Sequence, residues 1–271
     1  MNFWRLDRPD YPSDYADTFI NGQLEHPFGL PGVRCEECGQ TWGGSRILPH
    51  ALPEPLRGRK ELTDRWPIDG RSHLKLRAEV LEALHQAGAT IDSLRPGDEF
   101  QPAFLDVPSR PEADFLWSSA GSVVVSQRIK ATLTAAGVRG ATFVPVTPRR
   151  IGVRQPELPP PIPASGEPED LITEIQATLP KDDVPVLHEL VITAESGPPA
   201  GVTAAPVCPL CGRESYDPAA RHLVMLPQMW GGDDIFLLAT TLWIVVTDRV
   251  RDLLVRVPAS NLQYHRLEGA A

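Results

Sequence analysis

Two short runs, CEECG (35–39) and CPLCG (208–212), carry all four cysteines of this 271-residue chain. A two-residue gap lets a tight turn present both sulfurs to one ion, and the glycine after the second cysteine accepts the backbone bend such a knuckle needs. A closed structural zinc site wants four ligands, and each knuckle supplies two. The spacing therefore predicts one structural zinc ion held by Cys35, Cys38, Cys208 and Cys211. The amino terminus shows no export signal, which points to metal before disulfides. Two metal-free reduced pairs remain an alternative, as does a redox motif. The redox reading wants a CxxC at a helix start after a strand, whereas GQTW and GRES follow here. Histidine could instead complete two separate sites, with His50 and His222 as the nearest candidates.

Little else has the pattern of chemistry. No GxGxxG opens a helix, and no P-loop, HExxH or GxSxG occurs. GGDDIF (231–236) is similar to the signature loop of nucleotide cyclases but lacks the glutamate and runs straight into an apolar stretch. It reads as a tight turn before a strand. Asp182–Asp183 and Glu36–Glu37 are neighbours in sequence, which is poor geometry for general acid–base work. The chain reads as a non-enzyme.

The elements that must position the cysteines are short. Twenty-nine prolines argue for many brief elements and extended connections. Residues 1–34 read as short strands or coil. RSHLKLRAEVLEALHQAGA (71–89) reads as a helix capped by Ser72, stopped by Gly88, with Leu74, Leu76, Val80, Leu81 and Leu84 on its apolar face. FQPAFLDVP (100–108) reads as a strand broken at Pro102. An internal repeat organises the rest. DFLWSSAGSVVVSQRIKATL (114–133) aligns with IFLLATTLWIVVTDRVRDLL (235–254), placing Phe115 on Phe236, Val125 on Val246, Ser126 on Thr247 and Arg128 on Arg249. Each copy is an apolar strand ending in a Ser/Thr that can cap the next helix. ATFVPV (141–146) and NLQYHRL (261–267) follow as second strands, and each copy has a CxxCG upstream. Arg128 and Arg249 are read as braces, each holding its own lobe through a carboxylate or carbonyl.

The expected fold is α+β, with two related lobes from an internal duplication joined by a shared zinc site. The lobes are 1–148 and 184–271, with a Pro-rich acidic linker over 149–183. DLITEIQATL (170–179) reads as a short helix, and VPVLHELVIT (184–193) as the first strand of the second lobe. The formal charge is −9, and residues 155–200 hold nine acids against the single base Lys181. Such a segment is either a solvated connector or a surface for a basic partner. Glu167, Glu169, Asp170, Glu174, Asp182 and Asp183 are its candidate contacts. The charge works against nucleic-acid binding, whose candidate groups are Arg57, Arg59, Lys60 and Arg149, Arg150, Arg154. The longest apolar run, 235–246, is too short to span a bilayer, and the protein is expected in the cytoplasm.

With CEECG, CPLCG and the 231–250 region in place, the chain resembles the myxobacterial double-CxxCG motif paralogous family. The resemblance implies an immunity protein that neutralises a cognate toxin of the swarm-inhibition type by stoichiometric binding, with zinc in a structural role. It implies a protein toxin as partner, and the acidic segment suggests that this toxin is basic. A zinc-stabilised nucleic-acid-binding or regulatory module is the alternative.

Overall fold

The computed structural model describes residues 1–9, 23–107, 111–118, 122–151, 185–200, 202, 206–214, 224–239 and 241–269. It is a mixed α/β structure with several sheets and few helices. The strands run Phe3–Asp7 (β1), Gln23–Glu25 (β2), Phe28–Gly29 (β3), Val33–Arg34 (β4), Thr41–Trp42 (β5) and Ile47–Ala51 (β6). Ile68–Asp69 (β7), Glu99–Gln101 (β8), Ala103–Val107 (β9), Phe115–Trp117 (β10) and Val123–Ser126 (β11) follow. Ala141–Ile151 (β12), Leu187–Ile192 (β13), Ile235–Leu237 (β14), Ile244–Thr247 (β15) and Gln263–Arg266 (β16) complete them. Among the described residues the α-helices are Lys60–Asp64 (α1), Gly70–Gln86 (α2), Gln127–Ala135 (α3) and Asp248–Arg256 (α4).

The chain divides into two compact units that interleave in sequence. One is built from residues 1–25, 103–197 and 225–271, the other from 26–102 and 198–224. This differs from the expected cut into 1–148, 149–183 and 184–271. Both strand–helix copies fall in the first unit and all four cysteines in the second. The sequence repeat suggests that each knuckle stays with its own copy. Physically, apolar strand faces bury against each other, and two half-sets of sulfur ligands meet where one ion can join them.

In the first unit, two sheets share a strand order. One runs β14-β15-β1-β16, and the other β10-β11-β13-β12 with β9 and β2 added beyond β12. Strand β1, from the start of the chain, sits between β15 and β16, and β13 holds the matching place between β11 and β12. VPVLHELVIT, expected to open the second lobe, thus lies in the sheet of the first copy. Leu6 of β1 and Leu190 of β13 both enter one core. That core joins Phe115, Val123, Val125, Ile129 and Leu133 to Ile235, Ile244, Val246, Val250 and Leu254, together with Leu6 and Leu190. Each such buried side chain contributes about 1.5–3 kcal/mol, so the shared core is the main attachment between the copies.

The strand pairing corrects the repeat by one residue. Phe115 faces Val125, whereas Ile235 faces Val246, so Ile235 and not Phe236 occupies the place of Phe115. The connection between β14 and β15 is one residue longer than that between β10 and β11, and a hairpin transmits that difference to its first strand alone. The caps differ too. Ser126 Oγ accepts from Ile129 N at 3.4 Å, but Thr247 makes no side-chain cap bond. Its hydroxyl points to Asp234 Oδ1 at 3.5 Å.

The arginines brace more than their own copy. Arg128 pairs with Asp114 and also donates to the carbonyl of Val257; Arg249 pairs with Asp234 at 2.6 Å and donates to the carbonyl of Ala136. Ala136 and Val257 are the C-caps of α3 and α4. The carboxylates are shared in the same crosswise way: Ser260 N donates to Asp114 at 3.0 Å and Arg139 N to Asp234 at 3.1 Å. The region expected to begin a linker at 149 is instead the end of β12, where Arg149 pairs with Asp106 and Glu25.

In the second unit, α2 packs over Leu30, Leu48, Leu52, Leu62 and Phe100. Its N-cap is Asp69, which accepts from Ser72 N at 2.9 Å, so Ser72 lies inside the first turn. The buried stripe is His73, Leu76, Val80 and Leu84, while Leu74 is exposed. Gly88 ends the helix at φ 84°, in the left-handed region that favours glycine. FQPAFLDVP does break at Pro102: β8 and β9 lie on either side, in different sheets.

Candidate metal centre

Each knuckle is closed by its own backbone. Cys35 N donates to Gln40 O at 2.8 Å and Gly39 N to Cys35 O at 2.9 Å. In the second, Cys208 N donates to Arg213 O at 3.1 Å and Gly212 N to Cys208 O at 2.9 Å. Gly39 has φ 69° and Gly212 φ 73°, a conformation costly for other residues. The two CxxCG runs are therefore the same turn made twice.

The turns bring the sulfurs together. Cys35 Sγ lies 3.7 Å from Cys208 Sγ, and Cys38 Sγ lies 3.8 Å from Cys211 Sγ. All four sulfurs fall within 4.8 Å of one another. These distances are far beyond a disulfide bond of about 2.05 Å, and all four cysteines are free thiols. They match a tetrahedral site: metal–sulfur bonds of about 2.3 Å place ligand sulfurs about 3.8 Å apart. The four cysteines can coordinate one metal ion. Cys35, Cys208 and Cys211 are buried, and Cys38 is half-buried.

The surroundings act on the second knuckle's two sulfurs in opposite directions. The amides of Cys211 and Leu210 point at the Cys208 sulfur and lower its pKa. Burial raises that of Cys211, an effect a bound cation would reverse. Trp42 Nε1 donates to Cys211 Sγ at 3.3 Å, crossing from the first knuckle's strand to the second knuckle. Val33 is fully buried against the cysteines. Glu36, inside the first knuckle, accepts from Gly70 N at 2.9 Å and so caps the start of α2. A Cβ at Gly70 would lie 2.7 Å from Glu36 Oε2 and 2.8 Å from Leu210 of the second knuckle. Gly70 thus lets one helix end abut both turns.

The structure brings together the four cysteines named from sequence, with no histidine joining them among the described residues. His50 lies in β6, outside the cluster, and His222 lies outside the described residues. So do Glu167, Glu169, Asp170, Glu174, Asp182 and Asp183, the 170–179 segment and most of the acidic stretch. The expectation that the site lies between the two repeat lobes is replaced: both knuckles belong to the second unit. Trp42, Glu36 and Gly70 escape a sequence reading, because only the fold brings 42 to 211 and 36 to 70. GGDDIF is a turn with Gly232 at φ 95°, leading into β14. Among the described residues, no helix is long and apolar enough to cross a membrane.

No protein-family model matches the chain, and no curated protein matches it either.

Proposed function

We propose that the chain is an immunity protein that binds and neutralises a cognate protein toxin in the cytoplasm, held in shape by one structural zinc ion. The observation that carries the reading is the closed sulfur centre, with four protein ligands at tetrahedral spacing. Four ligands fill a zinc ion's structural coordination and leave no position for water or substrate, as a catalytic zinc requires. The metal then serves folding, and the activity belongs to a surface. The resemblance of CEECG, CPLCG and the 231–250 region to toxin-immunity proteins supplies the kind of partner.

Several basic groups that a nucleic-acid reading would use are already engaged. Arg57 pairs with Glu54, Arg59 with Glu61 and Glu79, Lys60 with Asp64, and Arg149 with Asp106 and Glu25. Phosphate binding would have to displace these acids.

We also infer that the two strand–helix copies descend from one duplicated segment. The matching strand orders and the crosswise arginine and carboxylate contacts support this, since an isologous interface makes each contact twice. The test of function is co-expression with the neighbouring toxin gene. Protection and co-purification as a complex are expected. A toxic partner whose lethality is unchanged, with a nucleic acid bound at physiological salt instead, overturns the reading.

A further inference from the structure

The second unit carries a cleft of about 400 Å³ lined by Trp42, Leu30, Pro67, Arg65, Glu99 and a set of glycines. Its floor is flat because backbones meet there. A Cβ on Gly97 would sit 2.2 Å from Gly44 O, and one on Gly43 would sit 3.3 Å from Gly32 Cα. Gly97, at φ 83°, is required by that close approach, and the glycines leave backbone exposed along part of the lining. Trp42 forms part of the wall, and its orientation is fixed by the 3.3 Å bond from Nε1 to Cys211 Sγ. The metal centre therefore sets the ring.

The polar end is an Arg–Glu pair. Arg65 stands in the left-handed region at φ 57°, at the C-cap of α1, a position non-glycine residues rarely hold without constraint. It spends Nη1 on Glu99, whose other oxygen lies 3.1 Å from His26 Nδ1. Arg65 is 33% exposed and Glu99 26% exposed. A guanidinium has five donors in a fixed fork, so the pair keeps capacity for one more group that both donates and accepts.

We propose that this cleft is an anchor site for a tyrosine side chain on a partner protein. The aromatic ring lies over the glycine floor beside Trp42, Leu30 and Pro67. The phenol accepts from Arg65 and donates to Glu99. Aromatic anchors in preformed pockets carry much of the energy of protein interfaces, and tyrosine suits a pocket with one apolar wall and one polar end. A nucleotide is disfavoured by the net charge of −9, which opposes its phosphate. The proposal deepens the toxin-binding reading and rests on it for the identity of the partner.

The test titrates N-acetyl-L-tyrosinamide into isotopically labelled, zinc-loaded full-length protein. Shifts confined to the amides of Gly32, Gly43, Gly44 and Gly97 and the Trp42 indole N–H are expected. A Kd on the order of 1 mM suits so small a ligand, and the phenylalanine analogue should bind about fivefold more weakly, since it lacks one hydrogen-bonding group. Arg65→Gln should remove that preference, and Gly44→Ala, which has room for its Cβ, should weaken both ligands; unchanged zinc content shows each variant folded. No shifts at these groups, or tighter binding of uridine monophosphate, overturns the proposal. Arg65→Gln that still protects fully against a toxin the wild type neutralises overturns it also and leaves the immunity reading standing. A wild type that protects against nothing but binds the tyrosine analogue at these groups fails the immunity reading alone.

Discussion

Arg128 and Arg249 close each other's ends of the structure: each guanidinium donates to the C-cap carbonyl of the helix that bears the other. A cation at a helix C-terminus complements the helix dipole. Each arginine also holds a carboxylate, Asp114 or Asp234, that a backbone amide of the opposite copy binds as well. The apolar core supplies most of the attachment, and these clasps set how the two copies register.

Arg128→Met and Arg249→Met should each destabilise the protein by about 1.5–3 kcal/mol, the range for hydrogen bonds to charged groups. The two effects should lie within threefold of each other, with Arg128→Met the larger, because Arg128 grips Asp114 through both Nε and Nη2 whereas Arg249 reaches Asp234 through Nη1. Urea unfolding of the single and double variants checks this; a difference of more than threefold between the singles would argue against equivalent clasps.

Leu6→Ala and Leu190→Ala should each cost about 2–5 kcal/mol. Both residues are about 4% exposed and share one core cluster, although one comes from the chain's first strand and the other from β13. Loss of stability only at Leu190, measured by thermal unfolding, would mean that β1 is not integral to its sheet.

Zinc content should be one ion per chain by elemental analysis, lost on Cys38→Ser as on Cys211→Ser. All four sulfurs belong to one cluster, so removal of either half should release the metal and unfold the knuckles around it. Two ions per chain would refute the shared centre.

Stability should fall as pH drops from about 6.5 to 4. Burial, reinforced by the charge of Arg77, lowers the His73 pKa to about 4 from an ordinary 6.5. Within that window the unfolded chain binds the proton more readily than the folded one, so acid favours unfolding; above 6.5 the contribution is fully present. His73→Leu should flatten that part of the profile, read from urea midpoints at pH 7 and pH 5. An unchanged slope would show that another group titrates there.

Asp182→Lys with Asp183→Lys should weaken toxin binding without lowering thermal stability, if the acidic stretch meets a basic partner. Isothermal titration against the co-purified toxin checks it, and unchanged affinity would remove the segment from the interface.

The sequence alone determined which four cysteines could share one ion, because a knuckle is local. Two cysteines, a two-residue gap and a glycine that accepts φ near 70° specify the turn without help from the rest of the chain. It also determined the strand–helix units and the end of α2, since apolar runs, the Ser126 cap and the Gly88 stop act over a few residues. Tertiary structure decided which pieces meet. The repeat made it natural to place the shared centre between the copies, yet both knuckles fall in the second unit and both strand–helix segments in the first. Likewise β1 joins the last sheet and β13 the earlier one, a choice that local propensity does not encode. The one-residue slip from Phe236 to Ile235 has the same origin: alternation fixes which residues share a face, but only the partner strand fixes the register. Side chains such as Trp42 and Glu36 acquire their roles at Cys211 and Gly70 through long-range packing, where sequence separation carries no signal.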